Sequence, residues 1–398
     1  MKQIGHFIDG ELVPGNSGRQ KDIYNPNTGD IQAQVNLATP KELNAAVASA
    51  AKAQVLWHNT NPQRRSRIMF AYKQLVESHI DELAALLSSE HGKVLADSRG
   101  DVIRGVDVIE FACGVPHAQK GEHTYGAGPE IDVYSMRKPL GVVAGITPFN
   151  FPAMIPMWMF GMAIATGNAC ILKPSEKDPS VPMRLAELFV QAGGPRGLLQ
   201  CINGDKEIVD AICDHPTIKA VSFVGSSDIA QYVYSRATSN GKRAQCMGGA
   251  KNHGIIMPDA NMDQAVKDIL GAAYGSAGER CMALPVVVPV GEGTAERFLE
   301  KMLPAIDSMR VGVSEDKEAD YGPVVTREHR DSIKAQVTKA IGEGAKLLVD
   351  GRDFSLQGHE NGFFIGPSQF DHVTPDMETY QDDIFGPVLQ IVRAKPFE

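Results

Sequence analysis

Cys281 lies in Gly278-Glu279-Arg280-Cys281-Met282. It is the one cysteine of six (113, 170, 201, 213, 246 and 281) with a carboxylate and a guanidinium directly before it. A thiol attacks as thiolate, which an adjacent arginine favours and apolar burial opposes. The competing reading is a small buried hydrophobe, the common fate of a free cysteine. Three loops after apolar runs could supply its partners. In Thr147-Pro148-Phe149-Asn150-Phe151-Pro152 two prolines fix the loop around Asn150. A side-chain amide held rigid beside a thiol is what a developing oxyanion requires. Lys173-Pro174-Ser175-Glu176 follows a second run. Ligands of open α/β sheets bind beyond the carboxyl ends of strands, where Lys173 and Glu176 could hold ribose hydroxyls or form a plain surface pair. Phe223-Val224-Gly225-Ser226-Ser227 ends a strand and opens a helix, whose free amides suit a phosphate. The fingerprint G-x-G-x-x-G is absent there, since Ala230 stands five after Gly225, so an ordinary strand-to-helix turn competes.

These loops need a scaffold. From Gly141 to Ala260, short apolar strands at 142–146, 169–173, 198–203, 220–224 and 254–257 alternate with helical patterns near 153–166, 180–193, 205–214 and 227–239. That rhythm predicts a doubly covered, mostly parallel sheet. A second alternating unit starts near Asp263, with strands at 284–290 and 347–349. Residues 1–36 read as antiparallel hairpins. Helices follow from Thr39-Pro40 to about Trp57, from Asn61-Pro62 with apolar spacing carried through Leu83, and from about Ser98 to His117. Residues 121–138 read as a two-stranded arm turning at Gly126-Ala127-Gly128-Pro129. A lone hairpin is marginal in water, so the arm packs either on another subunit or on its own domain.

Composition narrows the partners. A chain of 398 residues predicts two or three domains, and 43% hydrophobic with 22% charged residues is ordinary for a globular protein. A formal charge of -9 with no basic block argues against nucleic acid or an anionic membrane. Sparse cysteines without C-x-x-C or zinc spacing predict reduced thiols in a cytoplasmic setting and no metal site. Met1–Asp30 carries charges spread along it, Lys2, Asp9, Glu11, Arg19 and Lys21 among them, and no apolar core of a signal peptide. The uncharged stretch Pro139–Leu172 is long enough to span a bilayer, but Pro148, Pro152 and Pro156 interrupt it; it reads as core.

Together the motifs resemble the aldehyde dehydrogenase superfamily along the whole chain. The resemblance implies a Rossmann-like NAD domain (1–120 and 139–250), an oligomerisation arm (121–138) used in a homodimer or homotetramer, and an α/β catalytic domain (251–398). It implies Cys281 as nucleophile and Asn150 as oxyanion donor. NAD would be held by Thr147, Phe149, Lys173, Glu176, Lys177, Gly225 and Ser226. Asp382-Asp383-Ile384-Phe385-Gly386-Pro387 is similar to a Glu-Ile-Phe-Gly-Pro motif and adds Asp383 and Phe385. It also implies a further segment beyond Glu398 that completes the catalytic domain.

The departures are sharper. Where most of the superfamily has Glu-Leu-Gly-Gly-Lys, whose Glu activates water, this chain has Met247-Gly248-Gly249-Ala250-Lys251. A methionine accepts no proton. With the following Asn252-His253-Gly254, the stretch resembles the methylmalonate-semialdehyde branch, which transfers the acyl group to coenzyme A. That resemblance implies Arg104 and Arg280 as partners of a substrate carboxylate. Its reaction is NAD-dependent oxidation of methylmalonate or malonate semialdehyde to propionyl-CoA or acetyl-CoA with loss of CO2. The alternative is a hydrolytic aldehyde dehydrogenase giving a carboxylic acid, with Glu279 or a water chain as base. Glu279 stands where Gln is common, and a carboxylate so near should raise the Cys281 pKa unless Arg280 offsets it. Asp383, one methylene shorter than the usual Glu, is expected to reach a ribose only through water.

Overall fold

The computed structural model describes residues 1–396. Two compact units form: one from residues 1–23, 33–86 and 99–248, the other from 24–32, 87–98 and 249–398. Residues 24–32 and 87–98 group with the second unit, although their neighbours in sequence belong to the first.

The first unit is built on a seven-stranded sheet. Its central strands, Val142–Ile146 and Ala169–Lys173, are buried at every position, the pattern of a parallel sheet covered on both faces. Ile218–Val224 lies parallel on one side of Val142–Ile146, and Leu199–Cys201 lies beyond Ala169–Lys173. His6–Ile8 and Glu11–Val13 form a hairpin that extends this sheet antiparallel at the far edge. Met154–Ala165 is apolar all round and buried, while Lys206–Asp214 is amphipathic behind the N-cap Asp205. Thr39 caps Pro40–His58 with a full capping box: the Glu42 amide donates to its hydroxyl, and its own amide donates to the Glu42 carboxylate at 2.7 Å.

The second unit carries a five-stranded sheet in the order His253–Ile256, Val286–Pro289, Val388–Ile391, Ser368–Asp371, Lys346–Val349. All neighbours are parallel except the last pair. Phe298, Tyr321, Phe363, Phe370 and Leu389 fill its core.

Several expectations are corrected. The strand read at 254–257 belongs to this second sheet. Arg243–Met247 is a strand pairing with Ile218–Val224; its exposed, polar alternation hid it. The helix read through Leu83 breaks at His79 into Pro62–Ser78 and Ile80–His91, although apolar spacing runs across the break. The next starts earlier, at Leu95, and stops at Cys113 before Gly114. Lys2–Ile4 pairs in parallel with Ala33–Val35, so the N-terminal region is not hairpins alone. The arm pairs His123–Gly128 with Ile131–Tyr134, its turn shifted to Pro129-Glu130, where Glu130 has φ +58°. Among the described residues no helix is long and apolar enough to cross a membrane.

Replacing Thr39 by Ala removes one half of the capping box and is expected to lower stability by about 1 kcal/mol. A urea midpoint unchanged from the parent's would contradict that.

Candidate active site

Cys281 ends an unusual turn. The helix Met262–Tyr274 runs into Gly275–Gly278, where Ser276 (φ +52°), Ala277 (+53°) and Gly278 (+72°) are left-handed in succession. For the two residues with a Cβ that conformation costs roughly 1–2 kcal/mol each. Gly278 is a glycine for a second reason: a Cβ there would lie 2.1 Å from the Gly386 carbonyl oxygen. What holds the turn is polar. Asp97 accepts from the Ser276 amide (3.2 Å), from Ser276 Oγ (2.9 Å) and from Arg280 Nη2 (2.6 Å). Downstream, Asn252 Nδ2 donates to the carbonyls of Cys281 (2.9 Å) and Ala283 (2.8 Å).

The Cys281 thiol is half-buried, and its pKa is raised. Burial is the main cause, with Asp383 adding to it; the amides of Cys281 and Met282, and Lys93, pull the other way. This corrects both electrostatic expectations. The cation set against the thiol is the fully buried Lys93, while Arg280 pairs with Asp97. The carboxylate that raises the pKa is Asp383. Glu279, completely buried, faces His329 (3.5 Å) and His91 (3.9 Å) and accepts the Val325 amide at 3.3 Å. His329 Nε2 in turn lies 2.8 Å from the Phe385 carbonyl oxygen.

Asp383 is itself pushed up by burial, against the pull of Lys251 and the amides of Phe385 and Ala250. It therefore braces its own loop, accepting the Phe385 amide at 3.2 Å, with Phe385 left-handed at φ +54°. Burial lowers the Lys251 pKa to about 8, and its Nζ donates to the carbonyls of Asp382 (2.6 Å) and Thr379 (2.9 Å).

In the first unit the expected coenzyme residues gather at strand ends. The Thr147 amide donates to the Lys173 carbonyl at 3.0 Å, which joins the two loops. Lys173, almost wholly buried, pairs with Glu176 at 3.2 Å. Burial works against the Glu176 carboxylate, yet Lys173 beside it holds its pKa below the ordinary value. Lys177 Nζ sits 4.3 Å above the Phe149 ring. Thr147 Oγ1 is buried without a hydrogen-bond partner, an acceptor and donor left over for a ligand. One strand over, Ser226 caps Ser227–Ser239 without using its side chain, and the Gly225 amide donates to Met247 O at 3.1 Å. Asn150 is buried just after Val142–Ile146. Met247, 44% exposed, ends its strand. Arg104 lies on Leu95–Cys113, its side chain 74% exposed and 3.4 Å from Asp107.

The sequence reading missed Lys93 and Asp97, and it saw Asn252 only as part of a motif. Neither Lys93 nor Asp97 sits in a recognisable pattern, and Asp97 is 179 positions from Ser276.

A model described as the aldehyde dehydrogenase family matches residues 12–398. Malonate-semialdehyde dehydrogenase of Pseudomonas aeruginosa is 48% identical over 398 residues, all of this chain and 80% of that protein. The mitochondrial methylmalonate-semialdehyde/malonate-semialdehyde dehydrogenase [acylating] of Rattus norvegicus is 43% identical, over 98% of this chain and 73% of its own length. A Sinorhizobium meliloti structure, described as a methylmalonate-semialdehyde dehydrogenase complexed with NAD, superposes with a TM-score of 0.98 at 60% identity, covering 99% of this chain and 80% of that one.

The charges around Cys281 predict opposite shifts in thiol reactivity. With its pKa raised, the thiol is mostly protonated near neutrality, so its alkylation rate climbs as pH rises through that pKa. Asp383→Asn should speed iodoacetamide alkylation at pH 8, and Lys93→Met should slow it. The same direction of change in both would contradict the assignment.

Proposed function

The chain belongs to the aldehyde dehydrogenase family, and we propose that it is an NAD-dependent, coenzyme A-acylating dehydrogenase of methylmalonate or malonate semialdehyde. Its products are propionyl-CoA or acetyl-CoA, NADH and CO2. The observation that carries this reading is Met247, a thioether at the position where a hydrolytic member needs a carboxylate base.

Cys281 Sγ attacks the aldehyde carbon; the carbonyl electron pair moves to oxygen, where Asn150 Nδ2 and the Cys281 amide stabilise it. NAD supplies the acceptor for the hydride that leaves this carbon, and the oxyanion then collapses to a thioester on Cys281. Thr147, Phe149, Lys173, Glu176, Lys177, Gly225, Ser226, Asp383 and Phe385 hold the coenzyme. The partnerless Thr147 Oγ1 and the helix N-terminus at Ser226, which no Ser226 side-chain bond caps, fit such a ligand. Glu176 would repel a 2′-phosphate, which favours NAD over NADP. The carboxylate beta to the thioester carbonyl leaves as CO2, and the electron pair of the broken carbon–carbon bond passes to an enolate that takes a proton from solvent. With no base beside it, the thioester passes to the thiol of coenzyme A, whose proton is released, and Cys281 leaves as thiolate. Arg104 and Arg280 bind the substrate carboxylate.

The hydrolytic alternative loses its substitute base, because Glu279 is fully buried and turned toward His91 and His329. Tyr125, Ile131, Val133, Tyr134 and Met136 on the arm are all more than half exposed, which supports pairing with a second copy in a dimer or tetramer. Six cysteines without a disulfide suit a reducing, cytoplasmic setting.

NADH release from malonate semialdehyde should be sustained only when coenzyme A is present; steady turnover without it would sink the acylating reading. Arg104→Ala should raise KM for carboxylated aldehydes at least tenfold more than for propanal, a loss of about 1.4 kcal/mol in binding. Equal effects on both substrates would remove Arg104 from the site.

A further inference from the structure

Asp97 belongs to none of the motifs above, yet it is the residue that touches the nucleophile turn at both ends. It lies in the first turn of Leu95–Cys113, where a helix favours a negative charge. Its Oδ2 accepts the amide and hydroxyl of Ser276, the first of the three left-handed residues, and its Oδ1 accepts Arg280 Nη2. One carboxylate thus grips the residue that opens the turn and the residue that directly precedes Cys281.

A second observation fixes the guanidinium from its other side. A Cβ on Gly275 would come within 2.6 Å of Arg280 Nη1 and 2.9 Å of its Cζ. The planar group therefore rests on bare backbone at Gly275 while Asp97 holds its edge. Gly275 itself has φ -54°, so its lack of a side chain serves this seat and not its own backbone. Arg280 keeps 24% of its side chain exposed. A guanidinium has five donor hydrogens; the bond to Asp97 uses one, and a long one from Nη1 to the Gly271 carbonyl (3.5 Å) uses a second.

We propose that Asp97 is a positioning residue that couples substrate selection to nucleophile placement: it orients Arg280 toward a substrate carboxylate and pins the turn that carries Cys281. The proposal rests on the reading of Arg280 as a carboxylate partner. An arginine already paired and seated presents its remaining donors in a fixed direction, so a carboxylated aldehyde meets a pre-organised group. An uncarboxylated aldehyde gains nothing from that orientation but still depends on the pinned turn.

The two roles separate kinetically. Asp97→Asn keeps the shape and one acceptor oxygen but removes the charge. It is expected to raise the ratio of KM for malonate semialdehyde to KM for propanal about tenfold or more, with the NADH burst rate falling for both aldehydes. Ser276→Ala removes the hydroxyl bond of the turn limb, leaves the amide bond and the Arg280 limb in place, and should slow the burst without moving that ratio. Gly275→Ala displaces the guanidinium with Asp97 intact, and should move the ratio as Asp97→Asn does; it serves if Asp97→Asn fails to fold. Asp97→Asn combined with Arg280→Leu should shift the ratio no further than Arg280→Leu alone. If Arg280→Leu moves the ratio while Asp97→Asn and Gly275→Ala leave it within twofold, the coupling is overturned and the Arg280 reading survives. If Arg280→Leu leaves the ratio unmoved, that reading falls and takes the coupling with it.

Discussion

Three successive left-handed residues, ending three positions before a nucleophile, are an arrangement that a chain does not adopt unaided. Ser276 and Ala277 each carry a Cβ into a region that costs roughly 1–2 kcal/mol, and Gly278 is locked by its approach to the Gly386 carbonyl. Hydrogen bonds to a charged group contribute about 1.5–3 kcal/mol each when sheltered, so the three that Asp97 accepts are of the size needed to hold the turn. The close approach of Gly278 to Gly386 then ties the nucleophile segment to the 383–387 loop. Phe385 is left-handed there, and its carbonyl lies within hydrogen-bond reach of His329. Most other features of the second unit's site follow from that fixed turn.

One consequence concerns where charge sits. A nucleophile flanked by Glu279 and Arg280 invites the idea that these two tune the thiol directly. The turn sends both elsewhere: Arg280 to Asp97, and Glu279 into a buried pocket of two histidines. The thiol is left between Asp383, which raises its pKa, and Lys93, which lowers it, with burial prevailing. A resting thiol kept largely protonated is less open to adventitious oxidation and alkylation.

Much of this was legible in the sequence, for identifiable reasons. The strands at 142–146 and 169–173 announce themselves because every position is buried and apolar. The loops after them carry Thr147, Lys173 and Glu176 to neighbouring strand ends, as parallel topology requires. The missing base at Met247 needed no structure at all. What stayed hidden depended on long-range contact. Ser and Ala bear no local mark of a left-handed turn, and nothing near Asp97 reveals that its partners lie 179 and 183 positions away. Strands such as Ser368–Asp371 escaped because buried Ser368, Gln369 and Asp371 break the apolar pattern.

The central claim is that a thioester on Cys281 persists until a thiol removes it. Intact-protein mass spectrometry after one turnover with NAD and malonate semialdehyde, without coenzyme A, tests it directly. The account predicts a stoichiometric acyl adduct on Cys281 that survives for many turnover times and disappears when coenzyme A is added. An unmodified protein accompanied by free carboxylic acid would contradict it.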